Sequence, residues 1–271
     1  MTDKGDLRAG LPPILRGKNA TAPSVFTPES LLREARRQKQ IATGDIPEIC
    51  ILDPDGDMVR HLIATGRARR HPHWACYHTD LHAFDCEGLD IGIVGCAVGG
   101  AFAVLIAEEL FASGCRFLIS MTSAGQILPV RTPPYFIVIE RALRDEGTSY
   151  HYLPPADYSL ADERLVNLAR EAVATSGIAL EVGASWTTDA PFRETEEAIA
   201  AAQHAGILAV EMEAAALYAF AEARGQPVLC LAHVTNQMGR SEGDFEKGAA
   251  DGAEASLAVI ALLARPWRGS R

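Results

Sequence analysis

The sequence predicts a single α/β domain: a central mixed β-sheet flanked by helices. Short apolar, β-rich runs alternate with stretches whose apolar residues recur at helical spacing, an order that places a largely parallel or mixed sheet between helices. The 271 residues, 48% hydrophobic and 22% charged, suffice to bury a full core in one unit. The chain shows no internal repeat and no low-complexity linker.

Residues 1–45 stand apart as an N-terminal extension. Pro12, Pro13, Pro23 and Pro28 punctuate a polar leader, and Thr27-Pro28-Glu29-Ser30 opens a basic helix, LLREARRQKQ. Its charge run reads as a solvated face rather than a binding patch, and the arm is expected to pack on the body or on a neighbour. From residue 46 the main domain runs to 271. Strands are expected at 49–52, 91–98, 117–121, 135–139, 180–182, 207–210 and 228–234. Helices are expected at 58–64, 101–112, 162–176 and 194–204, with a closing helix over about 246–263.

A net charge of -10 argues against nucleic acid or an anionic membrane surface as partner, because both select clustered Lys and Arg. MTDKGDLRAG lacks the apolar core of a signal peptide, and the longest apolar stretch, 257–264, is far short of a membrane span. A cytoplasmic location is the expectation. Six scattered cysteines form no C-x-x-C pair and read as reduced, structural residues. His71, His73, His78 and His82 cluster, and the last two have an i, i+4 spacing compatible with zinc, but no helix with an accompanying acid is evident. No metal site is expected.

The most informative stretch is LAVEMEAAALYAFAEARG, 208–225. A short buried strand ends, Glu211, Met212 and Glu213 follow, and a helix runs to the stop at Gly225. Ligands of open α/β sheets bind at the carboxyl ends of strands. A carboxylate there can accept hydrogen bonds from two sugar hydroxyls, and a thioether can cover the sugar's apolar face. The same acids would also suit the positive end of a helix, for about 0.3 to 1 kcal/mol each.

This stretch resembles the VEMEAA signature of the nucleoside phosphorylase superfamily, which includes purine and uridine phosphorylases and related nucleosidases. IVGCAVGGAFAVLIAEELFASG (93–114), LISMTSAGQI (118–127), RALRDEGTSYHYLP (141–154), WTTDAPFRET (186–195) and HVTNQMGRSEGDFEKG (233–248) are similar to further family segments in the same order. The resemblance spans about residues 46–265 and implies a nucleoside phosphorylase-like three-layer fold. It also implies cleavage of the N-glycosidic bond of a nucleoside by phosphorolysis, giving free base and ribose 1-phosphate. The alternatives are a nucleosidase using water and a non-catalytic nucleoside-binding or storage protein.

By resemblance, Glu211, Met212, Glu213 and Ser123 bind the ribose: Glu213 holds its hydroxyls, Met212 lines the pocket, Glu211 is a further sugar ligand that also shapes it, and Ser123 donates to an anion or a sugar hydroxyl. Phe192 and Arg193 are implied to bind the base; the alternative is a core phenylalanine and a surface ion pair. Purine-cleaving relatives carry an aspartate where this chain has Asn236, which can hydrogen-bond a base but cannot supply a proton, so the chain resembles the uridine branch more. Asp244 is a substitute for that acid or a cap of the last helix.

The phosphate loop departs from the family pattern. Leu52-Asp53-Pro54-Asp55-Gly56-Asp57 has leucine for the usual glycine and Gly56 for the usual arginine; a second arginine falls on Ser120 and a third near Tyr77, close to Arg69 and Arg70. Either basic residues such as Arg60 or Arg131 rebuild a phosphate site, or water is the acceptor with Asp55 or Asp57 as general base; Asp55, Asp57, Ser120 and Ser123 are the candidate acceptor-site residues. The acid spacing also admits a divalent cation, although turn-forming aspartates explain it more simply. No cofactor is expected beyond inorganic phosphate as a co-substrate. The family implies a homo-oligomer, a dimer or hexamer.

Overall fold

The computed structural model describes residues 12–174, 176–238, 242, 244, 245 and 247–269. The helices and strands among them are α1 (Pro28–Lys39), β1 (Ile49–Asp53), α2 (Asp57–Ala64), β2 (Ala68–Arg70), β3 (His82–Cys86), β4 (Leu89–Gly95) and α3 (Gly100–Ala112). They continue through β5 (Phe117–Gln126), β6 (Tyr135–Asp145), β7 (Tyr158–Leu160), α4 (Glu163–Val173), β8 (Leu180–Thr188) and α5 (Glu196–His204). The chain then completes β9 (Ile207–Glu211), α6 (Ala214–Arg224), β10 (Val228–Asn236) and α7 (Ala253–Gly269).

One mixed sheet holds all ten strands. β1 lies parallel between β4 and β5, and β3 and β2 extend that wing antiparallel. On the other side β5 pairs with both β9 and β10, and β10–β6–β8–β9 completes the circuit. The expected central sheet is therefore half open wing and half closed ring. Alternation along the strands builds two cores. Cys50, Leu52, Leu118 and Ile137 face α3 and α6, whereas Ile49, Ile51, Ile119 and Val138 face α2, α4 and α7.

Several strands outrun their apolar cores: β5, β6 and β8 continue into polar residues that β-propensity alone does not mark. β2, β3 and β7 were not expected. β3 turns into β4 through Glu87 (φ 55°) and Gly88 (φ 87°), a two-residue hairpin with both central residues at positive φ. His82 starts β3, so His78 and His82 do not share a helix face. The last helix begins later than expected. Gly248, Ala250 and Asp251 all take positive φ, which keeps the chain out of the helix until Ala253; Glu246, its expected start, lies outside the described residues.

In the extension, Thr27 caps α1 by accepting the Ser30 N–H, with Pro28 in the first turn. Leu32 and Ala35 bury against Ala75 and Ala112, seating α1 on α3. Among the described residues no helix is long and apolar enough to cross a membrane.

Candidate active site

The site grows from the turn after β9. Glu211 is buried, and both its oxygens are filled by the protein. Oε1 accepts from the Ser185 hydroxyl (3.0 Å) and the Thr187 hydroxyl, and Oε2 accepts from the Glu213 and Ala214 backbone N–H groups at 2.7 Å each. Four donors saturate a carboxylate. The expectation of Glu211 as a sugar ligand gives way to its other expected part, shaping the site: it fastens β8 to the start of α6.

That clasp aims Glu213. Its Oε1 accepts the Gly99 N–H at 2.7 Å, while Oε2 is buried without a partner. Burial, with the Glu211 charge beside it, pushes its carboxyl up to about 8; the Gly99 N–H and the Thr122 hydroxyl act in the opposite sense. Glu213 thus presents one unsatisfied oxygen.

The loop after β1 forms the neighbouring wall. Asp53 accepts the Gly56 and Val59 N–H groups, at 3.2 and 2.9 Å, and folds the acid-rich turn. Burial pushes it up to about 7 against those bonds, aided by Asp55 and Asp57. Gly56 has φ 77°, and a Cβ there would lie 2.6 Å from both Cys96 Sγ and Arg60 Nη1, so an arginine at this position has neither the backbone nor the space. Asp55 accepts the Ser123 N–H at 2.8 Å. Asp57 points away, into a salt bridge with Arg60 and Lys247.

A cleft of about 340 Å³ joins these groups. Asp55, Thr122, Ser123, Met212 and Glu213 line it together with Phe192, Glu194, Asn236, Met238 and Phe245. Phe192 stands on a short 3-10 turn, Pro191–Arg193, and is 99% exposed; the alternative of a core phenylalanine does not hold. Arg193 is exposed and does not line the cleft. Asn236 is buried, its Oδ1 accepting the Met238 N–H at 3.0 Å. Asp244 accepts the Gln237 N–H and caps no helix.

The remaining expected residues lie elsewhere. Ser120 is buried in β5 between β1 and β10, outside the cleft lining, its hydroxyl unpartnered. Arg131 pairs with Glu181, Arg69 with Asp90 and Arg70 with Asp80. Arg60 is held by Asp57 and the Asp55 carbonyl. Neither Arg60 nor Arg131 lines the cleft. Cys96 is exposed beside Arg60, unlike the other five cysteines, which are buried. Among the described residues no group of three or more His, Cys, Asp or Glu is arranged to hold a metal ion. Sequence reading missed Glu194 and Lys247. Burial pushes the Glu194 carboxyl up to about 7, and Lys247 reaches Asp57 across 190 residues, neither of which leaves a local signal.

A mixed sheet with a cleft at the ends of β1, β5 and β10 places a buried glutamate with one unpartnered oxygen where α/β sheets bind ligands. Residues 48–265 match the phosphorylase superfamily, and the chain belongs to that family. It is 26% identical over 235 residues to a uridine phosphorylase of Thermococcus kodakarensis, covering 76% of this chain and 84% of that protein. A guanosine phosphorylase of Halorubrum lacusprofundi is 27% identical over 199 residues, 68% of this chain and 76% of that one. In fold it is similar to the uridine phosphorylase of Vibrio fischeri (TM-score 0.68, 20% identity, 80% and 90% of the two chains). It is likewise similar to the 5'-methylthioadenosine/S-adenosyl homocysteine nucleosidase of Campylobacter jejuni (TM-score 0.67, 20% identity, 80% and 98%).

Proposed function

We propose that this protein cleaves the N-glycosidic bond of a nucleoside, with Glu213 holding the ribose. The observation that carries this reading is the buried, unpartnered Oε2 of Glu213, set in the cleft beside Met212 and fixed by Glu211 and Gly99. Ribose hydroxyls donating to it would lower its proton affinity, and the resulting carboxylate would stabilise the positive charge that grows on the sugar as the C1′–N bond lengthens.

The acceptor wall favours water. A water on the sugar face toward Asp55 would give its proton to that carboxylate as its oxygen bonds to C1′, while the electron pair of the broken bond leaves with the base. No Lys or Arg lines the cleft among the described residues, and Asp55 and Glu213 together would repel a phosphate dianion. Phosphorolysis is the second reading. It is favoured by Lys247 Nζ, 3.9 Å from Asp55, and by the phosphorylases among the relatives.

The test is to incubate purified protein with purine and pyrimidine nucleosides, with and without inorganic phosphate, and to separate the products. Free ribose formed without phosphate supports water; ribose 1-phosphate formed only with phosphate supports the second reading. Nucleoside binding without turnover removes both and leaves a binding protein.

A further inference from the structure

Breaking a glycosidic bond leaves the base with an extra electron pair, and a departing purine is best discharged by a proton at its free N7. A departing uracil has no such free ring nitrogen and leaves as a delocalised anion. In the cleft, Asn236 can donate an amide hydrogen bond but no proton. Glu194 lines the same cleft as Phe192 and Asn236, at the foot of the turn that holds Phe192.

We propose that Glu194 is the general acid of this site, protonating the departing base of a purine nucleoside in place of Asn236. The inference rests on the proposed glycosidic cleavage. In the step, the C1′–N9 electron pair flows into the purine, the Glu194 carboxyl proton moves to N7, and the resulting carboxylate is reprotonated from solvent.

The geometry suits the role. Glu194 is half-buried and has no charge or hydrogen-bond partner among the described residues. Burial alone raises its carboxyl to about 7, so at neutral pH an appreciable fraction holds a proton. Asp55, Glu211 and Glu213 face the cleft from the β1 loop and the β9 turn, and Arg193 neighbours Glu194 on its own turn. A carboxylic acid on the turn that carries Phe192, in a cleft with no Lys or Arg among its described lining residues, can supply a proton rather than a cation to the leaving group.

The experiment compares wild type and Glu194→Gln on inosine and guanosine and on 7-methylguanosine, whose N7 is already alkylated and needs no proton. The expected result is a loss of kcat/KM of about 10²- to 10⁴-fold on inosine and guanosine, against a much smaller loss on 7-methylguanosine. The wild-type rate on inosine should also fall above about pH 7, and this limb should be missing for 7-methylguanosine. Equal losses on all three substrates would show a merely structural glutamate and overturn the proposal. A wild type that cleaves uridine but no purine nucleoside would overturn the purine assignment while leaving glycosidic cleavage standing. A wild type inactive on every nucleoside would instead sink the underlying reading.

Discussion

Glu213 and Glu211 are separated by one residue and have opposite tasks, and the difference lies in their partners rather than their burial. Glu211 is saturated, so Glu211→Ala would leave two hydroxyls and two N–H groups unsatisfied in the interior. A loss of about 3 kcal/mol or more is expected by denaturant titration. Glu213 has a free oxygen, so Glu213→Gln should abolish turnover, at least about 10²-fold, while preserving the fold. Its carboxyl is held near 8 when folded, against 4.5 as the unperturbed value, so the folded chain binds this proton more tightly. Stability from this group is then greatest below about 4.5 and falls, on the order of 1 kcal/mol per pH unit, until about 8. Glu213→Gln should therefore raise Tm more at pH 8.5 than at pH 5; an equal effect at both would show the group is not protonated in the resting fold. At this scale the acidic pair was legible in the residues and Glu213 was singled out only by resemblance, because what saturates Glu211 depends on Ser185 and Thr187, brought in from another element.

Elements were legible where apolar periodicity is unbroken, as in β1, β9, α3 and α6, whose buried runs leave little choice of structure. They were less legible where polar residues extend a strand, and those polar ends of β5 and β8 carry Thr122, Ser123, Ser185 and Thr187. The connection from β10 to α7 is of the second kind. Met238 and Phe245 reach the cleft from it, Asp244 ties back to Gln237, and Lys247 fastens it to Asp57. Among its described residues Asp244 and Lys247 tie it by polar contacts, so Lys247→Met should loosen it with little global cost. Hydrogen exchange at Gln237, Met238 and Lys247 should quicken, and KM should rise about 10-fold more than kcat changes. Unchanged exchange would mean the ion pair is incidental. The N-terminal arm is held differently: Leu32 is fully buried where α1 meets α3, so Leu32→Ala should cost about 2 to 3 kcal/mol by chemical denaturation.

For the whole molecule, apolar surface gathers where the cleft opens. Phe192 is 99% exposed, Phe245 66% and Val98 50%, and all three line the same cleft. Burying large side chains is worth about 1.5 to 3 kcal/mol each, and a nucleoside in the inner cleft would cover only part of this rim. A second copy of the chain would exclude water from the remainder, which would also strengthen the electrostatics at Glu213 and Asp55. The prediction is a homo-oligomer whose mass by light scattering is a multiple of 29.1 kDa. Its specific activity should drop when dilution dissociates it, and Phe245→Ser should shift both the mass and the dilution curve to higher protein concentration. A monomer of undiminished activity at nanomolar concentration would instead show that the rim closes over its substrate unaided, with Phe192 and Phe245 as a cover supplied by the chain itself.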